Sequence, residues 1–298
     1  MTLLRLNLVG CGRVGKTLAR LWHTHGVLEI QDVLTQSAAT AQEAVAFIGS
    51  GRAVTDIAHM RPSDLWMIGT QDQDISQAAT RIAAQYAAGK IAHSDSMAAM
   101  PSHRVSPSVG PIVFHGSGAL GSGQLAPLQD LGWRAASAHC ILSFANPDTA
   151  ARQFAGTGCA LEGDTAACTA LRTAFTRIGA QCFEVAGTDK LLYHAAAVFA
   201  TNFLPVLQSV AEDLWRKSGV PAPMIEALRA QLLTHAVANI TTLGPQGALT
   251  GPAARGDLPA IARQGAAVSA WSAEAGAAYA ALSALALQLA KAAPAKNA

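Results

Sequence analysis

Aromatic residues make up only 5% of this 298-residue chain, and charged residues only 13%. So few aromatics cannot build a base-stacking platform, and a net charge of +2 produces no field that would gather a polyanion. Nucleic acid is therefore not an expected partner. The five cysteines, Cys11, Cys140, Cys159, Cys168 and Cys182, are odd in number and include no CxxC pair. This argues against a disulfide framework or a metal site, and for free thiols in a reducing cytosol. The opening MTLLRLNLVG lacks the longer apolar run and small-residue cleavage site of a secretion signal. No apolar stretch of about 20 residues has the look of a membrane span. The nearest, 275–292, is interrupted by Tyr279, Ser283, Gln288 and Lys291 and reads as a core helix. The expectation is a cytoplasmic protein with no membrane partner.

What is plentiful is apolar: 51% of residues are hydrophobic, enough for a substantial core. Short apolar runs at 3–9, 28–34, 65–69, 112–115, 134–139, 158–163 and 181–185 predict strands. Helical spacing at 14–25, 38–48, 73–88 and 164–179 alternates with them, which predicts a mostly parallel sheet with helices on its faces. The polar, Ser- and Pro-rich segment 93–111 reads as a loop or lid. After Gly187 the strand signals stop, and helical patterns follow at 189–217, 222–243 and 257–292. They are separated by Gly219-Val-Pro221-Ala-Pro223 and by the run from Gly244-Pro245 to Gly256. The predicted division is an α/β domain over 1–186 and an all-helical domain over 187–298.

Gly10-Cys11-Gly12-Arg13-Val14-Gly15 matches GxGxxG between a predicted strand and a predicted helix, the setting in which that motif holds a dinucleotide. Gly10 allows the tight turn, Gly12 the approach of backbone to pyrophosphate, and Gly15 close packing of helix on strand. With Arg13 and Val14 they are the candidate phosphate-binding residues. An NAD site usually places an acid about 20 residues on, at the end of the second strand. That position holds Thr35-Gln36-Ser37, which would not repel a 2′-phosphate. Thr35 and Ser37 could hydrogen-bond it, and Asp32 lies within the strand rather than at its tip. NADP is favoured over NAD.

Ligands of open α/β sheets lie beyond the carboxyl ends of the strands. Thr70 follows one strand and is expected to line the cofactor cleft, with Asp72 capping the next helix. His115 and Ser117 open HGSGALGS, which either meets a ligand or forms a tight turn. His139 ends the next strand and either binds substrate or is a hydrogen-bonded histidine. Lys190 and His194 share a helix face near Tyr193 and Asn202. Pro205 removes a hydrogen bond to Thr201 and predicts a bend beside Asn202.

Four segments occur together: HGSGALGS (115–122), SAHCILSFANP (137–147), YHAAAVFATNF (193–203) and ALTGPAARGD (248–257). With GCGRVG they resemble a bacterial oxidoreductase family that joins a Rossmann-like domain to a DUF2520 domain, related to pyrroline-5-carboxylate reductase and the β-hydroxyacid dehydrogenases. The resemblance covers nearly the whole chain. It departs at Cys140, where proline is expected after the histidine, and at 93–111, which is longer than expected. It implies a Rossmann domain, an all-α C-terminal dimerisation domain, a homodimer, and an active site near the domain interface. β-Hydroxyacid dehydrogenases carry a lysine on the first interdomain helix and an asparagine four residues later; here these positions hold Lys190 and His194. Lys190, His194, His115 and His139 are the candidate proton donors, although Lys190 equally fits an ordinary helix-surface lysine. Ser117, Asn202 and Arg255 are the candidate substrate contacts. Arg255 would hold a substrate carboxylate, or pair with Asp257 to stiffen its loop. The reading is hydride transfer between NADP and a small carbonyl or imine substrate. The rival is a dinucleotide-binding sensor or structural dimer without turnover.

Overall fold

The computed structural model describes residues 3–89 and 110–292. The expected loop at 93–111 lies, apart from Gly110 and Pro111, outside the described residues. The chain divides into two compact units, Met1–Ala197 and Val198–Ala298.

The first unit is built on one eight-stranded sheet. Its strands are β1 (Leu4–Val9), β2 (Leu28–Leu34), β3 (Arg52–Val54), β4 (Leu65–Ile68), β5 (Ile112–His115), β6 (Arg134–Cys140), β7 (Gly158–Gly163) and β8 (Gln181–Glu184). They lie in the order β3-β2-β1-β4-β5-β6-β7-β8. The chain therefore reverses its winding at β1, and the gap between β1 and β4 is the crevice where such sheets take ligands. All pairings are parallel except β6 with β7, which is antiparallel with Ser137 opposite Glu162. The helices are α1 (Arg13–Thr24), α2 (Ala38–Ile48), α3 (Ile75–Ala87), α4 (Ala126–Gln129), α5 (Pro147–Gln153), α6 (Thr165–Thr176) and α7 (Lys190–Ala197).

Both sheet faces are covered. On one, Trp22 of α1 and Phe175 of α6 meet Phe114 edge to face, with Trp22 and Phe175 centroids 5.2 Å apart. On the other, Trp66 and Trp133 are buried with Ile82 of α3 and Leu128 of α4. Strands sandwiched in this way are apolar throughout rather than alternating, which is why they read as short continuous runs. The expected strands are all present. The sequence did not show β3, whose three residues carry little pattern, or α4 and α5, which are too short to display a period.

The second unit contains α8 (Phe203–Lys217), α9 (Ala222–Ala248), α10 (Gly251–Arg255), α11 (Leu258–Trp271) and α12 (Ala273–Lys291). The expected helix at 189–217 is interrupted by a π-helical turn, Val198–Asn202, just before Pro205. That is the predicted effect of a residue that cannot bond back to Thr201. The expected break at 244 is present, with Gly244 at φ 70° and ψ 169° within α9. The single helix expected at 257–292 is two, since Ser272 leaves helical geometry and caps α12.

Buried Lys190 ties α7 to the sheet, so α7 belongs with the first unit. Two stretches, Gly187–Lys217 and Ala273–Lys291, are long and apolar enough to cross a membrane on length and composition alone. In the sequence only 275–292 stands out; the first stretch meets the same measure because no Asp, Glu, Lys or Arg falls between Lys190 and Glu212.

Candidate functional site

The chain leaves β1 at Val9 and turns at Gly10, whose φ of +82° is open to glycine. A Cβ there would also lie 2.8 Å from Gly69 C and Thr70 N, so the backbones leaving β1 and β4 meet at this point. Gly12 follows as the N-cap of α1, with no side-chain cap and no acid in the first turn. Nothing stands within 4 Å of where its Cβ would be. The helix start thus has no side-chain cap for its unpaired N–H groups and nothing crowding Gly12, which suits a phosphate. Thr70 Oγ1, beside Gly10, is buried and has no partner among the described residues. An orphaned hydroxyl next to an uncapped helix start fits a dinucleotide pyrophosphate. Arg13 is exposed, reaching Ala145 O at 3.4 Å, while Val14 packs against the core and Gly15 lies against Cys11.

At the tip of β2, Ser37 caps α2 by accepting from Thr40 N at 3.2 Å, and Thr35 Oγ1 donates to Ser37 O at 3.0 Å. These hydroxyls shape the turn, and no carboxylate stands with them. Asp32 is fully buried and held by Arg52 Nε at 2.9 Å, Arg61 Nη2 at 2.7 Å and Arg61 N at 2.7 Å. Burial works to raise its pKa. The hydrogen bonds from Arg61 and Arg52 outweigh it, so the carboxyl stays below the usual range. Asp32 is therefore an ionised structural group, not a ribose ligand.

At the end of β5, His115 is fully buried with both ring nitrogens engaged. Nδ1 accepts from Ser117 N at 3.2 Å, so Nε2 carries the proton and donates to Gly121 O at 3.0 Å. Burial pushes its pKa down. His115 is thus a neutral pin for the turn and presents nothing outward. Ser117 is similarly occupied: its hydroxyl donates to Asp72 Oδ2 at 2.8 Å and accepts from Leu120 N at 3.0 Å. That contact replaces the capping expected of Asp72, because the turn before α3 has no side-chain cap.

Lys190 is only 1% exposed, so it is not a surface lysine. Its Nζ donates to Ser117 O at 3.0 Å and to Ser137 Oγ at 2.6 Å. Ser137 in turn donates to Glu162 Oε2 at 3.2 Å, and Glu162 also accepts from Ser122 N and Oγ. Burial lowers the lysine pKa, opposed by Glu162 and Asp72. The ammonium and carboxylate neutralise each other through one serine, and α7 is fixed to the ends of β5, β6 and β7.

The next turns of α7 bring Tyr193 and His194 to His139. Tyr193 Oη is 2.9 Å from His139 Nδ1, and the His139 and His194 rings stand edge to face at 5.5 Å. Burial, with smaller contributions from His194 and Lys190, lowers the His139 pKa to about 4. Burial raises that of Tyr193 to about 12. His139, Lys190 and His194, three of the four candidate donors, therefore lie together, and Ser137, Glu162 and Tyr193 complete the cluster. Ser137 and Glu162 carried no sequence signal, since only the β6–β7 register makes them neighbours.

The family model for the domain of unknown function DUF2520 matches residues 157–286. That segment is similar to the DUF2520 domain. The chain is also similar in fold to protein TM1727 from Thermotoga maritima, at 21% identity and a TM-score of 0.71 over 96% of this chain and 98% of that one. BF3122 from Bacteroides fragilis, named for an inferred NADP oxidoreductase activity, gives 17% identity and 0.68 over 96% and 98%. Pyrroline carboxylate reductase from Plasmodium falciparum, solved with NADP bound, gives 10% identity and 0.54 over 97% and 98%. These likenesses establish the Rossmann-like fold followed by helices. No curated protein matches the sequence.

The matched segment includes Glu162, Lys190, Tyr193 and His194, whereas the glycine loop, His115 and His139 precede it. It also carries Asn202 and Arg255, both in the second unit. Asn202 ends the π-helical turn and its Oδ1 accepts from Thr201 Oγ1 at 2.9 Å. Arg255 is exposed at the end of α10. The alternative pairing with Asp257 is not made, because Asp257 caps α11 by accepting from Ala260 N at 3.0 Å.

Proposed function

We propose that this chain is an NADP-dependent oxidoreductase that moves hydride between the nicotinamide and a small carbonyl or imine substrate. The observation that carries the reading is the uncapped start of α1 at Gly12, open above its Cα, with the partnerless Thr70 hydroxyl beside it. Phosphates there would satisfy both. The tip of β2 favours the 2′-phosphorylated form, because Asp32 is consumed by Arg52 and Arg61. The Plasmodium reductase with NADP bound shares this fold.

The cofactor supplies the hydride; the chain supplies its seat and a proton. The substrate's reacting atom belongs at the carboxyl ends of β5 and β6, where His139 and His194 stand. The five cysteines are all unpaired, which agrees with a cytoplasmic setting. The test is fluorescence titration with NADPH and NADH, followed by a screen of keto acids and cyclic imines for oxidation of the bound cofactor. Binding that favours NADPH, with turnover on one of these classes, is expected. No dinucleotide binding at millimolar concentration would overturn the reading.

A further inference from the structure

Four side chains were candidates for the proton donor, and two are tied up. His115 has both ring nitrogens bonded to backbone, and the Lys190 ammonium is buried against Ser117 O and Ser137 Oγ. His139 and His194 remain, and they are not equivalent.

They meet over Gly118. A Cβ built on that glycine would lie 2.8 Å from His139 Nε2 and closer still to His194 Nδ1. Any side chain there would part the two rings. His194 Nδ1 is buried and has no hydrogen-bond partner among the described residues. His194 Nε2 has no bonded partner either, yet it is not among the buried orphans, so it is the open edge of the ring. His139 differs in that its Nδ1 is taken by Tyr193 Oη, while its Nε2, at the Gly118 contact, makes no hydrogen bond among the described residues and is not fully buried either.

We propose that His194 is the proton donor, delivering its Nε2 proton to the substrate's oxygen or nitrogen. In this proposal His139, held by Tyr193, is the positioning residue that keeps the second proton on His194 Nδ1. This rests on the reading of the site as an oxidoreductase.

An imidazolium has two N–H donors, and the buried one needs an acceptor. In this proposal His139 Nε2, which meets the same Gly118 but makes no hydrogen bond to His194 in the structure, becomes that acceptor when the His194 ring is protonated. His139 can fill that role only while neutral, and its burial, together with His194 and Lys190, keeps it so, with Asp72 as the opposing charge. Its own proton then sits on Nδ1 and is donated to Tyr193 Oη. When hydride reaches the substrate carbon, the oxygen takes the Nε2 proton from the His194 imidazolium. The products are the alcohol and a neutral imidazole that retains its Nδ1 proton, and solvent restores the proton at the open Nε2. The logic is that of an acid oriented by a second group behind it.

The proposal specifies tautomers. Neutral imidazole in water prefers the proton on Nε2, whereas the proposal requires Nδ1–H on His194. The experiment is long-range ¹H–¹⁵N NMR on the full ¹⁵N-histidine-labelled chain, without cofactor, at a pH where both rings are neutral. The expected result is His194 and His139 both as Nδ1–H. His139→Leu should return His194 to the Nε2–H form, and His139→Gln, whose amide oxygen can accept, should retain part of the Nδ1–H population. Tyr193→Phe should release His139 to Nε2–H with little structural disturbance. A wild-type His194 carrying its proton on Nε2, or a His194 unmoved by His139→Leu in a folded protein, would overturn the proposal. These spectra do not depend on dinucleotide, so a failure to bind NADPH would count against the proposed function and leave this result standing.

Discussion

The Lys190 ammonium donates to Ser137 Oγ across 2.6 Å and reaches the Glu162 carboxylate only through that hydroxyl. One serine thus links a buried ammonium to a half-buried carboxylate without the two charges touching. The arrangement fixes the start of α7, and with it the positions of Tyr193 and His194. Lys190→Met should remove two charge-assisted hydrogen bonds and leave Glu162 without its counter-charge. The expected loss is on the order of 3 kcal/mol of unfolding free energy, read by urea denaturation. Ser137→Ala should cost less, because the lysine keeps its bond to Ser117 O. Equal and negligible losses from both substitutions would contradict the arrangement.

The His139 pKa of about 4 gives stability a direction with pH. An unfolded histidine holds its proton below about 6.5, so between there and 4 the unfolded chain binds more protons than the folded one. His139 therefore contributes fully above the unfolded value, and the contribution fades as pH falls toward 4. His115, also lowered by burial, acts in the same sense. Acidification from pH 7 to 4.5 should cost the wild type on the order of 2 kcal/mol through His139. His139→Gln should flatten that limb of the stability profile in denaturant titrations at several pH values. An identical slope in the variant would place the acid sensitivity elsewhere.

Two glycines of the loop make opposite demands. Gly12 has ordinary φ and open space around its absent Cβ, so Gly12→Val should fold with unchanged Tm yet obstruct the phosphates. A weakening of NADPH binding by about tenfold or more is expected, equivalent to at least ~1.4 kcal/mol. Gly10→Ala should instead destabilise the fold, since φ +82° and the approach to Gly69 and Thr70 both exclude a methyl. Paired thermal melts and fluorescence titrations separate the cases. If Gly12→Val binds NADPH as the wild type does, the loop is not the phosphate seat.

How much of this was legible in the sequence depended on the range of the interaction concerned. β1, the turn at Gly10 and α1 are contiguous, and a 3-residue glycine pattern between apolar runs was sufficient to place them. The Pro205 disturbance was equally local, and its π-helical turn lies where the missing bond required it. Lys190 was a different matter. Nothing around it distinguishes a solvated lysine from a buried one, because its partners come from β6 and the turn after β5. Asp72 looked like a helix cap for the same reason: the Ser117 hydroxyl that claims it is 45 residues away. His139 and His194 were found as types, but their pairing needed the glycine between them.

Asp32 tests the cofactor choice. Its carboxylate accepts from Arg52 and Arg61 at the buried middle of β2, so it takes no part in discriminating NADP from NAD. Asp32→Asn should lower stability by about 1–3 kcal/mol by leaving the guanidinium groups under-paired. The ratio of NADPH to NADH affinity should not change. Thr35→Asp, which places a charge at the strand tip, should lower that ratio by about tenfold or more through repulsion of the 2′-phosphate. A ratio that moved with Asp32 and not with Thr35 would reverse the assignment.

The helical unit exposes more apolar surface than a lone domain normally tolerates. Val206 is 57% exposed on α8, and Val237 and Leu243 are 55% and 59% exposed on α9, with Phe203, Leu232 and Ile240 also exposed on these two helices. Fully burying each such side chain is worth about 1.5–3 kcal/mol, and contiguous patches of this kind mark an interface. A second copy is the proposed cover. A bilayer is the competing one, given the length and hydropathy of Gly187–Lys217. That stretch carries Lys190 near its start, however, whose ammonium is bonded to the first unit, and it also contains Glu212, which is paired with Arg216 and Arg229. Light scattering after size exclusion should therefore show a dimer without detergent. Val237→Glu combined with Ile240→Glu should yield a folded monomer with its helical circular dichroism retained. Recovery of the wild type with floated liposomes, or a monomer at micromolar concentration, would remove the second copy as the partner of this face.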